Sequence, residues 1–189
     1  MRRIGLGLLT AFLILASTPA LASASSNTHP DPVGDTWVAP CQGDYCGPDV
    51  LGPPTLKNGD ITRTYFAHNR YRIRIVMTAR DANTTAVFDI TNGRGQTLSI
   101  FHDSDNSVLV RALRHGTFYP SRCTGVRHAV NLSAGTWALS VPRRCLHRPR
   151  IVRLEASTGD DDAYTRFSPN DGEHELGTSP WLRRGHRHR

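Results

Sequence analysis

Two loops rich in carboxylates contain the residues of this chain best suited to bind a metal ion. The carboxylates are Asp103 and Asp105 in the first loop and Asp160, Asp161 and Asp162 in the second. Calcium takes six to eight oxygen ligands, and loops at strand ends can supply them. The same residue types also satisfy backbone groups in solvated turns, and the first loop carries Val108 where an EF-hand requires glycine. The sequence therefore predicts no cofactor, with calcium at either loop as the alternative.

No arrangement of residues in the sequence predicts catalysis. The patterns G-x-S-x-G, S-x-x-K and G-x-G-x-x-G and the phosphate-binding P-loop are all missing. His174 and Glu175 begin an H-E-x-x-H zinc motif, but Thr178 replaces its second histidine. Since nothing pairs a nucleophile with a base, the sequence favours a non-enzymatic protein over a hydrolase with an unrecognised site.

Four cysteines form the other group with a defined chemistry: Cys41, Cys46, Cys123 and Cys145. In an exported chain of this size they indicate two disulfides, for which three pairings exist. The sequence favours Cys41 with Cys46 across a short loop, and Cys123 with Cys145 around one hairpin. A zinc site is the alternative, but neither spacing contains a C-x2-C knuckle.

A stripe of arginines is the main candidate for binding an anion. Arg70, Arg72 and Arg74 alternate with apolar residues, and Arg63 or Arg111 on a neighbouring strand could widen the stripe into an anion-binding face. The interpretation that the sequence favours is an exposed strand whose arginines cover apolar surface and discourage edge pairing.

Three tryptophans are candidates for stacking against sugar rings: Trp37, Trp137 and Trp181. Trp137 shares one face of its predicted strand with Leu139 and Val141, so we expect it in the core. The exposure of Trp181 does not follow from the sequence.

The amino terminus has the three parts of a secretory signal peptide. Arg2 and Arg3 precede an apolar run over residues 4–16, and small residues follow at A-x-A spacing. We therefore expect a signal peptide over residues 1–24, cleaved near Ala22 or Ala24. No later run of about 18 apolar residues follows, which predicts a secreted protein without a membrane span.

The remaining chain divides into three segments by composition. Residues 25–59 hold six of the twelve prolines and predict a proline-rich lead-in without a central strand. Residues 60–182 form the predicted domain. Residues 183–189 contain four arginines, two histidines and no apolar residue, which predicts a basic disordered tail.

Short runs rich in Val, Ile, Thr and aromatic residues recur within the predicted domain. They span 70–77, 84–91, 97–102, 108–113, 126–132, 136–141 and 150–156. In the first run Tyr71, Ile73, Ile75 and Met77 alternate with charged residues, which indicates a strand buried on one face. Because no window shows a helical stripe, we predict an all-β fold, an antiparallel β-sandwich of about seven to nine strands stapled by disulfides.

The hairpin around Ala134 and Gly135 allows a prediction of register. With a two-residue loop, the predicted pairs are Leu132 with Trp137, Val130 with Leu139, and His128 with Val141, and their apolar faces coincide. The same register pairs Cys145 with Thr124 and leaves Cys123 on the opposite side. We therefore expect a β-bulge near Gly125 or Pro142 to let the disulfide form.

Five short motifs carry a resemblance to known proteins. They are Gly59-Asp60-Ile61, the strand from Arg70 to Asp81 with its Arg-Asp end, Val141-Pro142-Arg143-Arg144-Cys145-Leu146, Asp160 to Ala163, and Ser179-Pro180-Trp181. Over residues 59–182 the chain resembles a group of exported, uncharacterised proteins from high-GC actinobacteria. The resemblance implies a secreted all-β domain and supplies no catalytic residues.

The formal net charge of +7 is concentrated at the ends of the chain. Without Arg2, Arg3 and the four arginines of the tail, 17 of the 23 basic residues remain against 16 acidic ones. We therefore expect no nucleic-acid partner and place any basic function in the last seven residues.

Taken together, these features predict a secreted, monomeric β-sandwich that binds or decorates an extracellular surface. An anionic cell-wall polymer or a glycan is the expected partner. A carbohydrate-binding module is the alternative, and a hydrolase is less favoured.

Overall fold

The computed structural model describes residues 25–42, 45–46, 48, 50–159, 167–172 and 179–184. The predicted signal peptide, the second acidic loop with Asp160, Asp161 and Asp162, the His174-Glu175 motif and residues 185–189 lie outside them. No helix in the described part is long and apolar enough to cross a membrane.

Fifteen β-strands and two short 3₁₀ helices make up the described regular structure. The strands are β1 (Ser25–Pro30), β2 (Trp37–Gln42), β3 (Tyr45–Cys46), β4 (Val50–Leu51), β5 (Ile61–His68), β6 (Arg72–Ala79), β7 (Thr85–Asn92), β8 (Thr97–His102), β9 (Val108–Arg114), β10 (Thr117–Pro120), β11 (Arg127–Asn131), β12 (Thr136–Pro142), β13 (Ile151–Gly159), β14 (Phe167–Gly172) and β15 (Leu182–Arg183). The 3₁₀ helices span Leu132–Ala134 and Arg143–Leu146.

The strands form two antiparallel sheets. The first sheet has the order β1-β5-β6-β12-β11, and the second follows β10-β9-β8-β7-β13-β14-β2-β3, with β15 on β13 and β4 on β2. The all-β antiparallel prediction is therefore confirmed. The strands outnumber the predicted seven to nine because the lead-in and the residues after Ala156 supply further short strands.

One apolar core contains the inner faces of both sheets. In β6, Ile73, Ile75 and Met77 are fully buried, as their alternation with polar residues predicts. Phe88 and Trp137 belong to the same buried cluster, which confirms Trp137 as a core residue. Tyr71 is different: it lies in the turn before β6 and is 69% exposed, so its predicted burial is wrong.

The lead-in contributes a strand to the first sheet. Its segment β1 pairs antiparallel with β5, with Ser26 opposite Ala67 and Pro30 opposite Arg63. The strand lies at the sheet edge, where the missing N–H of Pro30 costs no ladder hydrogen bond.

The hairpin of β11 and β12 has a different register from the predicted one. Val130 lies opposite Trp137 and Asn131 opposite Thr136, a shift of two residues. The loop has four residues instead of two, because Asn131 Oδ1 accepts a 3.1 Å hydrogen bond from Ala134 N and caps the 3₁₀ helix. A shift of two preserves the inward face of β12, so Trp137, Leu139 and Val141 are buried as predicted. Leu132, predicted to lie opposite Trp137, instead belongs to the 3₁₀ helix and is 53% exposed.

The predicted bond between Cys123 and Cys145 is confirmed, with 22 residues of separation. The bond forms without the predicted β-bulge. Strand β12 ends at Pro142, and the 3₁₀ helix Arg143–Leu146 that follows places Cys145 outside the pairing of β11 with β12. A disulfide offers no thiolate, so these two cysteines cannot form a zinc site. In the backbone pairing of β2 and β3, Cys41 lies opposite Cys46, and the bond between them stays a prediction.

Candidate functional site

A groove of about 920 Å³ lies where four connections of the sandwich meet. These are the β7–β8 turn, the β9–β10 turn, the loop from β10 to β11, and the 3₁₀ helix after β12. We call this site the basic groove, after its lining residues Arg94, Arg114, Arg122, Arg144, His115 and His147. Leu98 and Leu146 supply apolar surface, and the Cys123–Cys145 disulfide joins two of the connections.

The charge of the basic groove has one sign. All four arginines are exposed, and no described residue lining the groove carries a carboxylate. None of the four forms an ion pair with a described acidic residue. Arginine presents a planar fork of donors that matches phosphate and carboxylate groups, so the lining is suited to anions.

Two tight turns position the arginines at the rim. At the tip of the β9–β10 hairpin, His115 and Gly116 have φ angles of 49° and 77°, which places Arg114 opposite Thr117. In the β7–β8 turn, Asn92 Oδ1 accepts a 2.9 Å hydrogen bond from the backbone N of Arg94. Each arginine therefore stands on a short turn fixed by a strand pair.

The 3₁₀ helix after β12 is held by a buried cation. Arg143 donates to the carbonyl oxygens of Arg70 at 2.7 Å, of Arg148 at 3.0 Å and of Pro149. Burial lowers the pKa of Arg143, with Arg184 and Arg148 lowering it further. Its neighbour Arg144 is exposed and donates a 2.9 Å hydrogen bond to Thr124 O, across the groove wall.

The predicted arginine stripe is only partly assembled. Arg72 and Arg74 lie on the outward face of the first sheet, whereas Arg70 precedes β6 and Arg111 belongs to the second sheet. Arg63 lies opposite Thr78, not beside either of them.

The first acidic loop uses its carboxylates locally. Asp103 accepts hydrogen bonds from Thr85 Oγ1 at 2.6 Å and Ser107 Oγ at 2.9 Å, and Asp105 accepts one from Ser107 N at 2.7 Å. Within the described residues no three His, Cys, Asp or Glu side chains form a group that could hold a metal ion. The prediction of no cofactor, with calcium at either loop as the alternative, stays a prediction.

Two of the tryptophans present exposed surface. Trp181 is 48% exposed and Trp37 is 44% exposed. Trp181 is held in place by its neighbour Leu182, which is buried and pairs with Val152. Leu182 O lies 3.0 Å from Nδ1 of the buried His68.

Buried histidines form a second group of titratable residues, outside the groove. His68 and His102 are both fully buried. Burial lowers the pKa of each ring, partly opposed by the hydrogen bonds to Leu182 and Asn106. In the second sheet burial instead raises the pKa of Asp89, and burial together with the charge of Asp89 raises the pKa of Glu155.

These shifts predict that the protein loses stability as the pH falls below about 6.5. The unfolded histidines bind protons below that pH, whereas the folded ones stay neutral to lower pH. The unfolded state then binds more protons, so the free energy of unfolding decreases. Melting temperatures at pH 7.5 and 5.5 should differ more for wild type than for His102→Gln.

An equal pH dependence in His102→Gln and wild type would contradict this assignment. Asp89 and Glu155 change the stability in the opposite direction from the two histidines as the pH falls. Their raised pKa values favour the folded state below the usual pKa, and this contribution is lost as the pH rises through the folded value. Comparing variant with wild type removes their contribution, since both proteins keep these two acids.

One segment of the sequence indicates the basic groove. The net charge of the whole domain does not reveal it, because acidic residues elsewhere balance the arginines of this segment. Between Asp105 and Glu155 there are nine arginines and no acidic residue. All four groove arginines come from this stretch or from the turn before β8. Basic residues therefore also cluster within the described domain, while the expectation that places basic function in the last seven residues stays a prediction.

No family model, no curated protein and no solved structure matches the chain.

Proposed function

We propose that this protein is a secreted binding protein that holds an anionic polymer of an extracellular surface, such as the cell wall, in the basic groove. The observation that carries the proposal is the set of four exposed arginines facing one cavity without a described carboxylate among them. A concave surface of one charge raises the local concentration of counter-charged ligands.

The lining indicates which part of a ligand is bound. Its described residues include no Phe, Tyr or Trp, so the groove lacks the large aromatic rings on which nucleobases usually stack. Its polar groups include four guanidinium forks, which bind phosphate or carboxylate groups directly. These features favour a charged backbone as the bound element.

The same lining supports binding more than hydrolysis. Glycoside hydrolysis ordinarily uses two carboxyl groups, and the described lining of the basic groove has none. A serine nucleophile needs a base within hydrogen-bond reach, and no described serine hydroxyl is hydrogen-bonded to a histidine ring.

Carbohydrate binding is a second candidate function, favoured by the exposed indole of Trp181. An aromatic ring can stack on the apolar face of a sugar and needs no charge on the ligand. This candidate predicts binding of a neutral glycan that survives about 0.5 M salt, where charge interactions are largely screened.

The double variant Arg114→Ala/Arg122→Ala tests the proposed function. Each lost charged hydrogen bond costs about 1.5 kcal/mol, so affinity for inorganic polyphosphate should fall about 100-fold. Both side chains are exposed, so we expect the variant to fold normally. Isothermal titration calorimetry in low salt measures the dissociation constants.

Arg63→Ala/Arg111→Ala is the matched control, since it removes two exposed arginines outside the groove. The proposal requires that this control retain most of the wild-type affinity. Equal losses in both variants would show a general charge effect and overturn the groove assignment. Binding only to a neutral glycan, lost in Trp181→Ala, would favour the carbohydrate-binding candidate instead.

A further inference from the structure

The outward face of the first sheet carries a second site with a flat floor. Strand pairing places Tyr65, Val76, Ala138 and Ala129 side by side across β5, β6, β12 and β11. The three small residues leave a depression of about 300 Å³, with Tyr65, 36% exposed, at one end. This volume is at the lower end of the range for small-molecule sites.

The adjacent row of the same face is basic. Arg74, Ser140 and Arg127 lie side by side on β6, β12 and β11, and all three line the depression. Two strand spacings separate the arginine backbones by about 10 Å. Both arginines are exposed, and no described residue that lines the depression is acidic. We call this site, with the floor residues, the sheet face.

The loop at Thr124 and Gly125 connects the sheet face to the basic groove. From the side of the sheet face, Arg72 donates a 2.8 Å hydrogen bond to Gly125 O. From the side of the groove, Arg144 donates one of 2.9 Å to Thr124 O. Two guanidinium groups therefore hold neighbouring carbonyl groups of one short loop from opposite sides.

Mutual repulsion shows how close these cations are. Burial is the main cause that lowers the pKa of Arg72, and the charges of Arg127, Arg144 and Arg74 lower it further. One of these three belongs to the groove and two to the sheet face. The positive surface is thus continuous from one site to the other.

We propose that one linear polymer with a negative charge on each repeat occupies the basic groove and the sheet face together, crossing the loop at Thr124 and Gly125. This inference rests on the proposed function, because the groove supplies the first contact. The flat floor beside Tyr65 gives the polymer's backbone or ring room against the sheet, while Arg74 and Arg127 bind its anionic groups.

Two physical consequences distinguish a two-site ligand from a one-site ligand. Once the groove holds the chain, binding at the sheet face is intramolecular, with an effective concentration in the millimolar range. A chain that reaches both sites also displaces more counterions, so its affinity depends more steeply on salt.

The experiment measures dissociation constants for two lengths of inorganic polyphosphate, a short chain of about 6 phosphates and a long chain of about 60. Each length is titrated into wild type and into Arg74→Ala/Arg127→Ala. The variant should bind the short chain as wild type does, because the groove is unchanged. Wild type should gain at least about tenfold more affinity from chain length than the variant. A long chain also binds more tightly simply because it offers many equivalent positions at which binding can start. This increase in affinity is the same for wild type and variant, so it does not affect the comparison between them. Arg63→Ala/Arg111→Ala again controls for net charge.

The outcomes separate this inference from the proposed function. Equal length dependence in wild type and Arg74→Ala/Arg127→Ala would overturn the two-site inference. The proposed function would still be supported if Arg114→Ala/Arg122→Ala bound the short polyphosphate chain much more weakly than wild type does. Failure of wild type to bind either chain would overturn both.

Two further ligands identify the anion. The same length dependence with polygalacturonate would support the inference and extend it from phosphate to carboxylate polymers. Tighter binding of single-stranded DNA than of polyphosphate with equal charge would overturn the assignment to a polymer without bases, because base stacking would then supply the difference.

Discussion

Replacement of Cys123 and Cys145 by alanine is expected to lower the free energy of unfolding by about 3 kcal/mol and to weaken ligand binding in the basic groove. The bond closes a 22-residue separation, and a loop of that size gives about this stabilisation by restricting the unfolded chain. The melting temperature should fall by about 6 to 12 °C. Calorimetry measures both quantities.

The binding effect follows from the position of the bond. Cys123 belongs to the loop after β10 and Cys145 to the 3₁₀ helix after β12, so the disulfide ties together two connections that carry Arg122 and Arg144. Without it, the two connections are joined by weaker contacts such as the hydrogen bond from Arg144 to Thr124 O, so the separation of Arg122 and Arg144 is less well fixed.

Cys41→Ala/Cys46→Ala is the matched control for the disulfide variant. Residues 41 and 46 pair at the far end of the second sheet, and neither lines the groove. This variant should keep its polyphosphate affinity. Unchanged affinity in Cys123→Ala/Cys145→Ala, with a melting temperature within about 2 °C of wild type, would contradict the prediction.

Gly135→Ala is expected to destabilise the protein by about 2 to 5 kcal/mol. Gly135 has a φ of 58°, which costs a residue with a Cβ about 1 to 2 kcal/mol. An added Cβ would also lie 2.1 Å from Ala79 O, so the backbone must move, and such overpacking costs about 1 to 3 kcal/mol. The close approach is fixed by a 2.8 Å hydrogen bond from Ala79 N to Gly135 O.

Gly95→Ala separates the two contributions. Gly95 has a φ of 75°, but nothing lies within 4 Å of the position that its Cβ would take. It should therefore cost only the conformational part, about 1 to 2 kcal/mol. Urea unfolding of both variants measures the difference, and equal losses would show that the contact with Ala79 is unimportant.

The alternation of apolar residues predicts the fold class and much of the core, but not the register of the hairpin. A pattern of period two is unchanged by a shift of two residues, so it places Trp137 inside in either register. The true register depends on Asn131, whose side chain caps the 3₁₀ helix and lengthens the loop. This hydrogen bond involves a polar side chain and a nearby backbone group, so the spacing of apolar residues gives no indication of it.

The lead-in strand could not be predicted for a related reason. The sequence of β1 is SSNTHP, without an apolar face, and the strand exists through backbone pairing with β5. Pairing of this kind depends on a partner some 40 residues away, such as Ala67 for Ser26. The expectation that the proline-rich lead-in holds no central strand is wrong for β2, which contains Pro40 and lies between β14 and β3 in the second sheet.

The sequence shows which arginines are available for the basic groove, but it does not show that they lie close together. The acid-free stretch between Asp105 and Glu155 supplies most of its cations. Their meeting point depends on four connections at one place in the sandwich, including Arg94 from a different hairpin. Net charge cannot show this arrangement, because it sums acids and bases that lie on different surfaces.

The pairing of β6 with β12 also governs how quickly the protein can reach its native state. Ile75 lies opposite Leu139, and Leu154 of β13 lies opposite Ile90 of β7, so central contacts of both sheets join residues 64 positions apart. Loop closure over such distances must precede the gain from burial, and topologies of this kind fold in milliseconds to seconds. Until β12 and β13 have been synthesised, β6 and β7 each pair on one side only and leave the other edge open, and a nascent chain in that state is vulnerable to aggregation.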